Sequence, residues 1–255
     1  MITSQHVGLF ITCLTDLFRP SVGFASVKLL RDAGCRVTVP RNQTCCGQPA
    51  YNSGDRASAQ KIAKMVIEEF EPFDYVVAPS ASCAAMLSKH YKTLFTDDLW
   101  IRRSHALAAK TYEIVSFLYD VCEYEVHDIT FNETVTYHDS CSALRELHIK
   151  DQPRHLLAGI DGLKLEELDE AETCCGFGGT FCVKYPEISG EMVGRKTAAI
   201  TATNATTVLS SDLGCLLNIA GKIHRDGLKI KTRHITEILS GSLNKAAIGD
   251  PPTKI

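Results

Sequence analysis

Apolar and polar segments alternate along the first half of the chain in an order that predicts strands and helices in turn. Short runs rich in β-branched residues predict strands at Val7–Thr12, Arg36–Val39 and Tyr75–Ala78. The segments between them predict helices at Ser21–Ala33 and Asp55–Glu69, with a further helical segment after Ser80. Because strands that alternate with helices of this length form βαβ units, we expect an α/β fold with mostly parallel sheets.

The second half of the chain repeats the order of the first. Three pairs of segments correspond: the apolar runs Val7–Cys13 and Val135–Cys141, the β-rich runs Tyr75–Ser80 and Thr207–Ser211, and the helical stretches Tyr112–Leu118 and Thr236–Leu239. The period of roughly 128 residues indicates an internal duplication. We therefore expect two similar α/β domains, 1–125 and 126–255, related by a pseudo-twofold axis.

Composition excludes several classes of protein. The chain has 255 residues, of which 45% are hydrophobic and 22% charged, so it can bury a core and is not generally disordered. Its net charge of −3 gives no basic excess for binding nucleic acid. The longest uncharged stretches, Met1–Thr15 and Thr197–Ser211, are too short for a transmembrane helix. Since the first residues lack the pattern of a secretory signal, we expect a cytoplasmic protein.

The chain carries eleven cysteines, which is unusual for the reducing compartment expected here. Eight of them follow the duplication, because each half contains one cysteine, then a Cys-Cys-Gly sequence, then a final cysteine at nearly the same spacing. The first set is Cys13, Cys45, Cys46 and Cys83, and the second set is Cys141, Cys174, Cys175 and Cys215. Cys35, Cys122 and Cys182 have no counterpart in the other half, so we interpret them as structural thiols, with Cys182 close enough to line the second site.

Each set of four cysteines follows strands that end at the same edge of a parallel sheet, where α/β proteins bind ligands. Four thiolates at one place suit a soft metal site, either an iron–sulfur cluster or zinc. The spacing lacks the short paired knuckles of zinc fingers, and adjacent cysteines are better suited to different irons of one cluster. The glycines beside the pairs allow close approach of their amides to a cofactor. These are Gly47, Gly176, Gly178 and Gly179.

His138 and Asp139 immediately precede the second set. A histidine beside a carboxylate is a candidate for acid–base chemistry. Adjacent residues on a strand point to opposite faces, however, so the alternative is that each only forms hydrogen bonds around the site.

The repeated pattern C-x31-CCG-x36-C and C-x32-CCG-x39-C resembles the cysteine-rich CCG domain family. That family includes the B-type component of heterodisulfide reductase, the iron–sulfur component of glycolate oxidase, the E-type component of succinate dehydrogenase and lactate utilisation protein A. The segments Thr44–Asp55 and Cys174–Ser189 are most similar to the lactate utilisation branch. This resemblance implies an iron–sulfur electron-transfer subunit of a cytoplasmic complex that oxidises L-lactate to pyruvate, with partner subunits resembling lactate utilisation proteins B and C.

Other functions remain open at this point. They are a heterodisulfide reductase-like role in thiol and disulfide redox chemistry, an iron–sulfur subunit of a glycolate oxidase, and a zinc-stabilised scaffold that organises partners. The sequence departs from the family pattern because Ser80 and Asp212 replace the first cysteine of each C-x-x-C element, and Ser142 stands where relatives often have histidine. Four thiols per set remain, the number that a [4Fe–4S] cluster needs. Asp212 offers a further oxygen ligand. The resemblance implies a [4Fe–4S] cluster in the second set and either a cluster or zinc in the first.

Overall fold

The computed structural model describes residues 5–169 and 171–250, so the first four residues of the N-terminal stretch lie outside it. The chain divides into two compact units between Glu123 and Tyr124. Each unit contains a four-stranded sheet in which all pairs of strands are parallel. The expected α/β fold with two similar halves is therefore confirmed. Among the described residues, no helix combines the length and apolar character needed to cross a membrane.

The first unit has the strand order β2-β1-β3-β4. Its elements in chain order are β1 (His6–Leu9), α1 (Cys13–Phe18), α2 (Pro20–Asp32), β2 (Arg36–Thr38), α3 (Gln48–Asn52), α4 (Arg56–Phe70), β3 (Tyr75–Ala78), α5 (Ala81–Ala85), α6 (Asp98–Ala109), β4 (Thr111–Glu113) and α7 (Ile114–Ser116). Helix α5 continues through a π-helical segment, Met86–His90, and a 3-10 turn, Tyr91–Thr93, and α7 continues through a π-helical segment, Phe117–Val121.

The second unit repeats this arrangement with the strand order β6-β5-β7-β8. Its elements are β5 (Thr134–Tyr137), a π-helical segment (Ser142–Glu146), α8 (Asp151–Ala158), β6 (Lys164–Leu165), α9 (Phe181–Lys184), α10 (Pro186–Ala202), β7 (Thr207–Ser210), α11 (Leu213–Arg225), β8 (Lys231–His234) and α12 (Ile235–Leu239). In both units the central strands are almost completely buried, as expected for a parallel sheet covered on both faces.

The sequence predicted the central strands and main helices of the first unit well but missed the fourth strand of each unit. The predicted helical stretch Tyr112–Leu118 is wrong at its start, because Thr111–Glu113 forms β4. The second unit likewise has β8 directly before α12. Both strands run straight into a helix, with Glu113 or His234 as its N-cap, so no turn residue separates the two elements. The predicted strand Val7–Thr12 also ends early, because Thr12 is the N-cap of α1.

The duplication extends to the packing of single helices. The buried residues of helices α4 and α10 are spaced at identical intervals along the sequence. These intervals place them on one face of each helix. The buried residues of α4 are Ala59, Ala63, Val66, Ile67 and Phe70, and those of α10 are Ser189, Val193, Lys196, Thr197 and Ile200. The two faces therefore correspond position by position, although a lysine in α10 takes the place of a valine in α4.

We predict that Ile200→Ala lowers the free energy of unfolding by about 2–5 kcal/mol, because Ile200 is fully buried in the core of the second unit. Urea unfolding followed by circular dichroism measures the change. Ile188→Ala on the same helix is the matched control. Its side chain is 55% exposed, so the substitution should change stability by no more than about 0.5 kcal/mol. Equal effects of the two substitutions would contradict this description of the core.

Candidate metal centres

The structure brings the four cysteines of the first set together at the carboxyl edge of the first sheet. Cys13 begins α1 just after β1, Cys45 and Cys46 lie in the loop after β2, and Cys83 lies in α5 after β3. The Sγ atoms of Cys13 and Cys45 are 3.8 Å apart. Hydrogen bonds between thiols also link Cys45 with Cys46 and Cys46 with Cys83. The four side chains thus form one continuous cluster of sulfur atoms.

The second set forms the same chain of contacts. Thiol hydrogen bonds link Cys141 with Cys174, Cys174 with Cys175, and Cys175 with Cys215. In both sets the first two of these cysteines are half-buried and the last two are buried. Each cluster therefore has an inner pair of thiols in the protein core and an outer pair near solvent.

Hydrogen bonding distributes charge unevenly within each cluster. Hydrogen bonds from Cys13 and Cys46 lower the pKa of Cys45, whereas the pKa of each donor thiol is raised. In the second set, the pKa of Cys174 is lowered in the same way by hydrogen bonds from Cys141 and Cys175. One thiolate is thus stabilised while neighbouring thiols keep their protons. Ionisation of all four requires a cation to offset their repulsion, so this donor set fits a thiolate-bound metal centre.

The glycine after each cysteine pair presents its amide to sulfur. The N–H groups of Gly47 and Gly176 each donate to the Sγ atom two residues earlier, over 3.4 Å. Their φ angles of 82° and 79° lie in the left-handed region that favours glycine. A Cβ atom at Gly176 would also approach the Ser189 carbonyl oxygen to 2.8 Å. Gly178 and Gly179 have positive φ angles as well and form the turn before α9, so their contact with a cofactor stays a prediction.

The residues that replace the missing cysteines act as helix caps. The Ser80 hydroxyl accepts a hydrogen bond from the Cys83 amide and caps α5. The Asp212 carboxylate accepts a hydrogen bond from the Gly214 amide and caps α11. Serine and aspartate are favoured at this position because their oxygens satisfy free helix amides. Both substitutions thus fix the start of the helix that carries the last cysteine of the set.

His138 lies against the second cluster, although its sequence pattern gave only a weak signal. One of its ring nitrogens and the Sγ atoms of Cys175 and Cys215 all lie within 4.8 Å of one another. Its side chain is completely buried, and burial together with the charge of Lys196 lowers the pKa of His138 to about 3. The imidazole is therefore neutral.

Asp139 has a different partner from His138. Its carboxylate accepts two hydrogen bonds from the guanidinium of Arg154, at 2.8 and 3.1 Å. The adjacent histidine and aspartate thus serve separate contacts, although both lie beyond the end of β5 and not on a strand.

Two cysteines outside the sets contact each other. The Sγ atoms of Cys35 and Cys122 are 3.9 Å apart, although the residues are 87 positions apart in the sequence. No sequence pattern indicated this contact, because neither residue has a counterpart in the other half. Cys182 donates a hydrogen bond to the Gly179 carbonyl oxygen.

We predict that Asp212→Asn leaves metal content unchanged, because asparagine keeps the capping oxygen. Asp212→Ala should lower the free energy of unfolding by about 1 kcal/mol through loss of the cap. Metal analysis and urea unfolding measure the two effects, and Ser80→Ala provides the matched change in the first unit. Loss of metal from Asp212→Asn would show that the carboxylate is a metal ligand.

Comparison with known proteins agrees with this arrangement. A family model described as a cysteine-rich domain, CCG, matches residues 7–88 and 135–220. The chain is 48% identical to lactate utilization protein A from Shouchella clausii, over 92% of this chain and 99% of that protein. It is 46% identical to lactate utilization protein A from an Exiguobacterium species, over 94% and 99%.

A solved structure supports the fold. The crystal structure of a hypothetical protein from Helicobacter pylori matches with a TM-score of 0.70 at 9% identity. The match covers 97% of this chain but only 52% of that one, so this chain spans about half of its length. With both halves matched by the family model and relatives at nearly half identity over their full length, the chain belongs to the cysteine-rich CCG domain family and, within it, to the family of lactate utilization protein A.

Proposed function

We propose that this chain is an iron–sulfur electron-transfer subunit of a cytoplasmic multi-protein system that oxidises L-lactate to pyruvate. The observation that carries the proposal is the convergence of four thiols at the carboxyl edge of each sheet. The names of the relatives, which are 46–48% identical over nearly their whole length, support lactate as the substrate of the system.

The chemistry of the donor set favours an iron–sulfur centre. The proposed ligands are all cysteines: Cys13, Cys45, Cys46 and Cys83 in the first centre, and Cys141, Cys174, Cys175 and Cys215 in the second. Thiolates are the ligands that iron–sulfur clusters use, and four are enough for one [4Fe–4S] cluster. We propose such a cluster in the second set, and a [4Fe–4S] cluster or zinc in the first. When bound, a cluster accepts and releases single electrons.

The protein fixes the inner side of each centre and leaves its outer side near solvent. The Tyr91 hydroxyl donates to the Cys46 carbonyl oxygen over 2.9 Å, and the Asn218 amide donates to the Cys175 carbonyl oxygen over 2.8 Å. Both contacts hold the backbone of a cysteine pair in place. The half-buried Cys45 and Cys174 lie on the outer side of their clusters, where we propose that electrons pass to and from a partner.

Oxidation of lactate to pyruvate releases two electrons and two protons, which a carrier of single electrons does not handle alone. We propose that partner subunits resembling lactate utilisation proteins B and C complete the reaction. Glycolate differs from lactate by one methyl group, so glycolate oxidation by the assembled system is the alternative that a substrate comparison tests.

We predict that Cys175→Ser removes iron from the second centre and abolishes lactate-dependent dye reduction by the reconstituted system. A serine hydroxyl stays protonated near neutral pH and does not replace a thiolate on iron. The fold should persist, because the core around this centre is built from apolar residues such as Val193 and Val208. Iron and sulfide analysis after anaerobic purification, circular dichroism and the dye assay measure the three effects.

Cys182→Ser and Cys35→Ser are the matched controls, because both change a cysteine outside the proposed ligand sets. Each should keep the iron content and activity of the unchanged protein. Full activity of Cys175→Ser would contradict the electron-transfer role of the second centre. Zinc without iron in the anaerobically purified protein would instead favour the structural scaffold.

A further inference from the structure

The second cluster is bordered by two buried polar side chains whose counterparts in the first unit are apolar. His138 lies three residues before Cys141, and the residue three before Cys13 is Phe10. Lys196 occupies the position on α10 that Val66 occupies on α4. The fold and the cysteines are duplicated, but these two side chains are not.

The imidazole of His138 lies close to the two inner thiols of the second set. Neither ring nitrogen forms a hydrogen bond with any described residue, although the side chain is completely buried. A buried polar group without a partner costs about 1–3 kcal/mol. The Sγ atoms of Cys175 and Cys215 lie within 4.8 Å of one ring nitrogen, and they become strong acceptors once they are ionised.

Lys196 adds a buried positive charge on the face of α10 that packs against the second unit's core. Its side chain is completely buried, and its ammonium donates to the Ala171 carbonyl oxygen over 3.3 Å. A buried lysine needs negative charge nearby, since transfer of an ammonium from water into the protein interior is costly. Once ionised, Cys175 and Cys215 supply that charge, because they pack in one core cluster with Val193 and Ile200, the residues on either side of Lys196 on the buried face of α10.

We propose that His138 and Lys196 are positioning residues of the second metal centre, where the imidazole N–H and the ammonium stabilise negative charge on its inner thiolates. This inference rests on the proposed iron–sulfur function. Reduction adds an electron to a centre that already carries negative charge, so nearby donors and cations favour the reduced form. His138 and Lys196 therefore raise the reduction potential of the second centre.

A redox titration of the anaerobically purified full chain, monitored by electron paramagnetic resonance, tests the inference. A Cys45→Ser background disrupts the first set, so the signal reports the second centre. In that background, Lys196→Met and His138→Leu should each lower the ratio of reduced to oxidised centre at a fixed potential about tenfold. For a one-electron couple this ratio corresponds to about 59 mV. Lys196→Arg keeps the positive charge and His138→Gln keeps an N–H group. Each should therefore have a reduction potential close to that of the background protein.

Arg195→Met is the matched control, because it removes a positive charge from the adjacent, exposed position on α10. Its potential should equal that of the background protein. Unchanged potentials in Lys196→Met and His138→Leu, at full iron content, would overturn the inference. Loss of iron in Lys196→Met that Lys196→Arg restores would support it, whereas loss in both variants would indicate a packing effect and contradict it.

The electrostatic role of His138 and Lys196 can be tested even if the proposed electron-transfer function is wrong. If the unchanged protein binds zinc but no iron, the electron-transfer role fails while the electrostatic role remains testable. Zinc held by four thiolates carries net negative charge, so Lys196→Met in the Cys45→Ser background should lower zinc affinity at least tenfold in competition with a chelator. Equal zinc affinity of the two proteins would overturn the inference.

Discussion

The mutual repulsion of four thiolates is the constraint on which the two sites depend. In each unit hydrogen bonds link the thiols, and they stabilise one thiolate while the pKa values of its donors rise. Full ionisation of such a cluster requires a metal centre of opposite charge. The fold holds the sulfurs together because the loops and helices that carry them start at the carboxyl ends of neighbouring parallel strands.

Duplication explains why the two thiol clusters have the same arrangement, and divergence between the two halves explains how their surroundings differ. Helices α4 and α10 bury matching faces, and the glycine amides after both cysteine pairs contact sulfur in the same way. Where the first unit has the apolar Phe10 and Val66, the second has the buried His138 and Lys196, and His138 lies close to the inner thiols. A buried lysine and a buried histidine with no hydrogen-bond partner among the described residues destabilise an apolar core, and the electrostatic role that we propose for them offsets this cost.

Sequence reasoning succeeded where a signal is local or repeated. The apolar run Tyr75–Ala78 forms β3 with the predicted bounds, and the repeated cysteine spacing predicted which thiols meet. It failed where the signal depends on tertiary contacts. Strand β4 has three residues and leads directly into a helix, so its pattern merges with that of the helix. The contact between Cys35 and Cys122 depends on chain folding over 87 positions, and the complete burial of His138 is likewise set by residues distant in sequence, such as Cys175 and Cys215.

The central claim is that each cluster of thiols binds a metal centre through sulfur, with an iron–sulfur cluster in the second unit. X-ray absorption at the iron edge of the anaerobically purified chain tests it most directly, because the method identifies the atoms bound to iron. We expect a shell of sulfur atoms together with a second shell of neighbouring irons. Iron surrounded by oxygen or nitrogen, with no iron neighbours, would contradict the claim.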